Sequence, residues 1–139
     1  DYEKFAHTNN NRALNRHNWD MDALDEILHE DNHHSRIFTE LKRLIVLRRA
    51  QKAFHPNAIM FTLHVGDEVF AFWRQSPKRD QSIFCLNNIS CKSREVLMSS
   101  LNLVITERWR DLISGRELEP GQISLVLAPY QTIWLTNKF

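Results

Sequence analysis

The spacing of apolar residues changes once along this chain, from a period near 3.6 to a period of two, and this change constrains the fold most. Between Ser35 and Pro56, side chains recur at spacings of three and four, which predicts a long helix with one buried stripe. The stripe contains Ile37, Phe38, Leu41, Leu44, Ile45 and Arg48. From Ile59 onward, apolar and polar residues alternate as they do in β-strands. We therefore expect an α+β fold, in which an N-terminal loop and two helices precede a small antiparallel β-sheet domain.

Arg48 lies in the middle of this stripe, where a charge is costly unless it is paired. We predict that Arg48 is a structural residue, largely buried and joined to a carboxylate or to backbone carbonyls. The candidate carboxylates are Asp67, Glu68, Glu107 and Asp111. Val46 and Leu47 lie off the stripe, so a second flank of the helix also looks apolar. One small partner layer would not cover both flanks.

The segment from Asp1 to Trp19 has almost no apolar periodicity and contains a run of three asparagines. Such a segment cannot build its own core, so we predict a loop that lies against another surface. Asp20 is expected to cap a short helix that runs from Met21 to about Glu30.

The second half of the chain is predicted to form seven strands. They are expected at residues 59–65, 69–73, 81–87, 94–98, 109–113, 123–127 and 131–135. Gly66-Asp67 is typical of a two-residue hairpin, and Pro77–Asp80 and Pro120-Gly121 predict turns.

Composition fits one ordinary domain and excludes several classes of protein. The chain has 139 residues, of which 42% are hydrophobic and 25% charged, and its net charge is +1. That charge gives no field strong enough to attract nucleic acid. No apolar run approaches the roughly 20 residues of a membrane span, and no signal peptide opens the chain, so we expect a cytoplasmic protein without a membrane partner. Because the first residue is Asp1 rather than Met, we expect a chain cut from something longer.

One short motif suggests a metal site. Residues 29–33, HEDNH, match the H-E-x-x-H zinc pattern, but the Asp-Asn pair favours the end of a helix. We therefore predict a solvated linker between two helices and no metal; the alternative is adventitious metal binding, with His34 added. Cys85 and Cys91 are too few for a disulfide framework, and both are expected to be reduced packing residues.

No catalytic motif is present in the sequence. The three glycines form no phosphate cradle, and no G-x-S-x-G, P-loop or Cys-His nucleophile pattern occurs. We expect no cofactor and no catalytic residue in this chain.

Several separated phrases resemble a known enzyme family. Residues 11–19, NRALNRHNW, are similar to an R-x-I-N-R-H segment, and five further phrases follow in the same order as in that family. They are LKRLIVLRRAQKAFHPNA, VFAFWRQS, QSIFCLNNIS, WRDLISG and LAPYQTIWL. Over essentially all of its length the chain resembles the tail of sucrose phosphorylase-like enzymes in the alpha-amylase superfamily of glycoside hydrolases. Two departures are Asn11, where that family often has Gly, and Leu14, where it has Ile.

The resemblance implies a C-terminal segment of a larger enzyme. Its fold would be a (β/α)8 barrel followed by a small antiparallel β domain, with residues 1–57 as the last loop and helices of a truncated barrel and residues 58–139 as the β domain. The parent would be a retaining phosphorylase that transfers glucose from sucrose or a related glucoside to phosphate and so forms glucose 1-phosphate. Its Asp nucleophile and Glu acid-base catalyst would lie upstream of Asp1, so the chain alone would be inactive.

The resemblance also suggests roles for three residues. Arg12 matches an arginine that contributes to the glucosyl subsite, and we expect it to bind substrate hydroxyls. Asn15 and Arg16 are expected to be structural and to fix the loop through hydrogen bonds to the backbone. The alternative for Arg12 is a solvated loop charge. The acceptor stays open between fructose, a phosphorylated fructose and glycerate.

Two other classes of function remain as alternatives. A stand-alone carbohydrate-binding module would expose coplanar aromatic rings, but Trp73, Trp109 and Trp134 occur at strand spacing, which favours buried packing. A protein-interaction module would expose the uncovered flank of the long helix as an apolar patch.

Overall fold

A computed structural model describes Glu3, Ala6, His7 and Arg12 as single positions, and residues 18–101 and 108–138 continuously. The chain forms two compact units, Asp1–Arg43 and Leu44–Phe139. The domain division expected at residues 57 and 58 stays a prediction, because a division by compactness does not test which residues belong to a barrel.

Two α-helices lie in the continuously described residues, as expected. Helix α1 spans Met21–His29, and the Asp20 carboxylate caps it by accepting hydrogen bonds from the backbone N–H groups of Asp22 and Ala23 at 3.0 and 3.3 Å. Helix α2 spans His33–Arg49. The side chain of Asn32 accepts a 3.0 Å hydrogen bond from the Ser35 N–H and so satisfies one of the free donors at the start of α2.

The predicted stripe on α2 is not buried in this chain. Its large apolar residues, together with Val46, are between 49% and 64% exposed, except that Leu44 is half-buried. Ser35 is the one buried residue of α2, all of whose residues are described. The periodicity identified the apolar face correctly, but the described residues do not cover that face. The predicted burial of the stripe is therefore not provided by the described residues.

The predicted environment of Arg48 is wrong. Arg48 is exposed, and its guanidinium lies 5.9 Å from the centroid of the Phe54 ring, a cation–π contact rather than an ion pair. Two of the candidate carboxylates have other partners, since Glu68 pairs with Arg94 and Asp111 accepts hydrogen bonds from neighbouring backbone groups. Glu107 lies outside the described residues. The error follows from the uncovered stripe, because a charge on an exposed face needs no partner.

The seven predicted strands are confirmed, and the described residues arrange them as two antiparallel sheets. Their bounds are β1 Ile59–Leu63, β2 Val69–Gln75, β3 Ser82–Asn88, β4 Arg94–Leu97, β5 Arg110–Asp111, β6 Ser124–Leu127 and β7 Thr132–Thr136. The larger sheet has the order β1-β2-β3-β7-β5, and β4 pairs with β6. The connection between β1 and β2 is longer than the expected two-residue hairpin, because the first paired residues are Leu63 and Ala71 and the loop between the strands covers residues 64–68.

The central strand β3 is buried on both faces of the larger sheet. On one face, Phe84 and Leu86 join the main core, which the two-stranded sheet supplies with Val96 and Leu127. On the other face, Ile83 and Cys85 form a smaller core with two residues of a 3-10 turn, Ala53 and Phe54. The turn spans Lys52–Phe54 and follows α2, so the chain enters the sheet domain across this second face.

Candidate functional site

The predicted substrate-binding residue, Arg12, has helical backbone and is exposed. The other described positions before residue 18, Glu3, Ala6 and His7, are helical as well, so the segment expected as a loop contains helical backbone at these positions. Asn15 and Arg16, predicted to fix this segment, lie outside the described residues. The roles of all three residues stay predictions.

The H-E-x-x-H match falls across two helices, as the linker prediction required. His29 is the last residue of α1 and His33 the first of α2, so the two rings do not lie one turn apart on a single helix. The His29 ring Nδ1 lies 2.8 Å from the Asp25 carbonyl oxygen, and Asn32 donates a 2.7 Å hydrogen bond to the Ile27 carbonyl, which ties the linker to α1. Among the described residues, no group of three or more His, Cys, Asp or Glu side chains could hold a metal ion.

The three tryptophans of the sheet domain pack against other rings, in agreement with the packing interpretation. Trp73 stacks on Phe84 with a centroid distance of 5.8 Å and an interplanar angle of 7°, and Trp109 packs against the same Phe84 in a T-shaped geometry with centroids 5.3 Å apart. Trp134 contacts Phe54 at 4.9 Å. Trp109 is buried and the other two are half-buried, so the rings do not form the exposed coplanar platform that a sugar would need.

A set of polar contacts holds the turn after α2 on the second face of the sheet. Arg74 donates from Nε to the Ala53 carbonyl at 2.9 Å and from Nη2 to the His55 carbonyl at 2.8 Å. The buried Gln81 accepts a 3.0 Å hydrogen bond from the Ala53 N–H and donates a 2.7 Å hydrogen bond to Gln51. The Arg74 guanidinium also lies 6.0 Å from the Phe54 ring centroid. Both backbone groups of Ala53 are thereby satisfied, as a buried residue requires.

Asp80 forms ion pairs with Lys52 in the same turn and with Lys138 near the C-terminus. Its carboxylate accepts hydrogen bonds from Lys52 Nζ at 2.9 Å, Ser76 Oγ at 2.7 Å and Lys138 Nζ at 3.4 Å. The hydrogen bond from Lys52 is the largest cause that holds the pKa of Asp80 well below its usual range, and Ser76 and Lys138 add to it.

Two further polar residues have structural roles that sequence reasoning missed. The buried Asn88 donates from its amide to the carbonyls of Lys92 and Ala128 at 2.7 and 2.8 Å, so this amide is occupied inside the fold. The buried Asp111 accepts from the backbone N–H groups of Trp134 and Ser114 at 2.9 and 3.1 Å. Asn88 binds Ala128, and Asp111 binds Trp134, although the two residues of each pair are far apart in sequence. A single sequence therefore carries no local signal for these contacts.

Glu117 forms ion pairs with Arg110 and Arg108. The hydrogen bond from Arg110, followed by that from Arg108, lowers the pKa of Glu117. No helix in the described part of the chain is long and apolar enough to cross a membrane.

Comparison with curated proteins finds related phosphorylases. The chain is 29% identical over 138 residues to a glucosylglycerate phosphorylase of Spirochaeta thermophila, an alignment that covers 93% of this chain and 24% of that protein. It is also 29% identical, over an alignment of 140 positions, to a glucosylglycerate phosphorylase of Escherichia coli, with 97% of this chain and 23% of that protein covered. The chain therefore spans about a quarter of the length of these relatives. No protein-family model matches the sequence.

Comparison with solved structures finds the same fold within larger enzymes. AmyP in complex with maltose superposes with a TM-score of 0.63 at 17% identity, over 77% of this chain and 22% of AmyP. Trehalose-6-phosphate hydrolase of Bacillus licheniformis gives a TM-score of 0.54 at 21% identity, over 70% of this chain and 18% of the hydrolase. The predicted resemblance to a sucrose phosphorylase-like C-terminal segment and the predicted α+β fold class are both confirmed.

Proposed function

We propose that this chain is the C-terminal segment of a retaining glucosyl-transferring phosphorylase whose acceptor, in the reverse reaction from glucose 1-phosphate, is glycerate. The observation that carries this proposal is the sequence similarity to two glucosylglycerate phosphorylases, which extends over more than nine-tenths of the chain but only about a quarter of each relative. The acceptor, left open by the sequence, is taken from the names of these relatives.

The exposed face of α2 supports the idea that more protein covers this segment. Apolar side chains at positions 37, 38, 41 and 45 are about half exposed or more, although they recur on one side of the helix. A continuous apolar stripe of this kind is typical of a contact surface rather than of a solvent-exposed helix face. In the proposed parent, this stripe packs inside the outer ring of a (β/α)8 barrel.

The proposed chemistry proceeds in two displacements at the anomeric carbon. An Asp carboxylate attacks it and forms a glycosyl-enzyme ester, while a Glu donates its proton to the departing glycerate oxygen. Phosphate then displaces the Asp, and the same Glu, now a carboxylate, accepts the proton that phosphate loses. The products are glycerate and glucose 1-phosphate with retained configuration. Both carboxylates would be contributed by the upstream barrel.

Arg12 is proposed to bind the glucosyl ring in this parent enzyme. A guanidinium offers a planar set of N–H donors that suits paired hydroxyl oxygens or a carboxylate. Exposure of Arg12 within this chain is compatible with a ligand that approaches from outside the segment. Asn15 and Arg16 are proposed to hold the backbone around it.

The test uses the coding sequence upstream of Asp1. The longer protein should release glucose 1-phosphate from glucosylglycerate in a reaction that requires phosphate, and much more slowly from sucrose. The 139-residue chain should release none from either donor. Preference for sucrose would keep the phosphorylase assignment and overturn the glycerate acceptor, whereas activity of the 139-residue chain alone would overturn the segment assignment.

A further inference from the structure

Strand β1 is an edge of the larger sheet. It pairs with β2 on one side, and no strand within the described residues pairs with its other side. Its five residues, Ile59–Leu63, include no charged residue, proline or glycine. Met60 and Phe61 are 57% and 50% exposed. Edge strands of soluble proteins commonly carry a charge or a proline that prevents pairing with another strand, and β1 lacks both.

The register between β2 and β3 shows which backbone groups of β2 face β1. The Ile89 N–H donates a 2.9 Å hydrogen bond to the Glu68 carbonyl, which makes Val69 and Asn88 a non-hydrogen-bonded pair. Hydrogen-bonded and non-hydrogen-bonded pairs alternate along antiparallel strands. Trp73, an even number of residues after Val69, therefore directs its backbone N–H and C=O groups toward β1.

The same alternation identifies the backbone groups at the outer edge of β1. Trp73 lies opposite Phe61, so Phe61 directs its backbone groups toward β2. Its neighbours in sequence, Met60 and Thr62, direct their N–H and C=O groups to the outer side. These donors and acceptors are a template for one more antiparallel strand.

A second copy of β1 matches this template. When two copies run antiparallel about a two-fold axis at Phe61, Met60 of each copy lies opposite Thr62 of the other, and Ile59 lies opposite Leu63. The outward N–H groups of one copy then meet the outward C=O groups of the other. In this register every residue of β1 lies opposite another residue of β1, and no like charges oppose each other.

An aromatic row on the sheet also continues across this axis. Phe61 stacks on Trp73 with a centroid distance of 5.4 Å, and Trp73 stacks on Phe84 at 5.8 Å. At the two-fold axis, Phe61 lies opposite the Phe61 of the other copy in a non-hydrogen-bonded pair, where side chains are closest. The two rows would thus join and bury the half-exposed Phe61 rings, and aromatic pairs of this kind stabilise antiparallel strands.

We propose that the outer edge of β1 is a homodimer interface, at which β1 of a second copy pairs antiparallel about Phe61 and joins the two larger sheets into one. The strand has no charge that would select a basic or an acidic peptide. Its hydrogen-bonding groups and its aromatic ring are instead complementary to themselves, as a two-fold interface requires. This assignment goes beyond the proposed function, since it involves no catalytic group.

Sedimentation equilibrium of the longer protein tests the oligomeric state, with an expected mass of two chains at about 10 μM. Thr62→Pro removes an outward N–H from each copy but no hydrogen bond between β1 and β2. It should raise the dissociation constant of the dimer at least about tenfold. Thr62→Val keeps the N–H and is the matched control, which should leave the dissociation constant within about threefold of the parent value.

Cross-linking tests the register independently. In a Cys91→Ser background, which removes the exposed native thiol and leaves the buried Cys85, Phe61→Cys places two thiols opposite each other at the axis. Their Cα atoms would lie about 4.5 Å apart, which suits a disulfide. Mild oxidation should give a covalent dimer on a non-reducing gel. Ile59→Cys is the control and should give none, because the two substituted positions lie about 13 Å apart in this register.

Each outcome decides the proposal. A longer protein that stays monomeric would overturn it, whether the edge is exposed or is covered by upstream residues. A dimer that Thr62→Pro does not weaken would place the interface elsewhere, and so would equal cross-linking of Phe61→Cys and Ile59→Cys. If Thr62→Pro does not fold, the cross-linking pair alone decides. Phosphorolysis is not a readout of these experiments, so failure of the proposed function would leave the interface intact.

Discussion

Arg74 on β2 donates its Nε–H to the carbonyl oxygen of Ala53 at 2.9 Å and thereby fastens the turn after α2 to the sheet. A second hydrogen bond, from Nη2 to the His55 carbonyl at 2.8 Å, makes the guanidinium a two-point clamp. Because Ala53 is fully buried, its carbonyl would lose its partner without gaining water if Arg74 were removed.

Arg74→Ala should therefore lower the free energy of unfolding by about 1.5 to 3 kcal/mol, the range for hydrogen bonds to charged groups. Urea denaturation followed by tryptophan fluorescence measures this change. Arg116→Ala, which removes an exposed arginine from the same unit, is the control and should stay within about 0.5 kcal/mol of the parent. Equal effects of the two substitutions would contradict the clamp.

The ion pairs of Asp80 should make stability fall in acid. Hydrogen bonds from Lys52 and then Ser76 hold the pKa of Asp80 well below its usual range, so the folded state favours the ionised carboxylate. This contribution is fully present above the unfolded pKa of about 3.9 and is lost as the pH falls below it.

The measurement compares urea denaturation of the parent and Asp80→Asn between about pH 5 and pH 2. The parent should be the more stable protein at the higher pH, and the difference should shrink as the pH falls. Lys52→Met should weaken this pH dependence, because it removes the largest cause of the shift. A difference between parent and Asp80→Asn that does not change with pH would contradict the assignment.

The two cysteines should differ in reactivity, which corrects the expectation that both are packing residues. Cys85 is fully buried, and burial raises its pKa to about 12 even though the charge of Arg74 acts in the opposite direction. Cys91 is exposed. Since the thiolate is the reactive form, iodoacetamide should alkylate Cys91 and leave Cys85 unmodified in the folded protein.

Peptide mass spectrometry measures this difference. Cys91→Ser should abolish modification under native conditions, and both thiols of the parent should react in urea. Alkylation of Cys85 at a rate similar to that of Cys91 would indicate that the second face of the sheet opens readily.

The sheet was predictable from sequence because its signals are local. Alternation between apolar and polar residues reports the strand period, and Pro77–Asp80 and Pro120-Gly121 adopt the turns expected of them. Gly121 has a φ of 78°, a conformation that glycine adopts without strain. The same local logic located α1, whose Asp20 cap is present in the structure.

Local sequence signals did not predict which residues pack against each surface of the fold. The sequence pattern of α2 shows which side of the helix is apolar. It does not show whether the residues that cover this side belong to the same chain. The burial of Arg48 was wrongly inferred for that reason. The clamp at Arg74 and the hydrogen bonds of Gln81 and Asn88 connect positions that are 21 to 40 residues apart. Such contacts arise only after the strands have paired.

The predicted role of Arg12 leads to a substitution that separates charge from geometry. Arg12→Lys keeps the positive charge but replaces a planar set of donors by a single ammonium group. If the guanidinium holds glucosyl hydroxyls in the transition state, kcat/KM of the longer protein for phosphorolysis should fall about tenfold or more, which equals about 1.4 kcal/mol of transition-state binding. A loss in kcat would show that the contact strengthens during the reaction, whereas a rise in KM alone would show uniform binding. Arg116→Lys is the matched control, and thermal unfolding of both variants checks that the fold is retained. An unchanged kcat/KM for Arg12→Lys would remove Arg12 from the site, because a solvated charge tolerates this exchange and a planar hydrogen-bonding group does not.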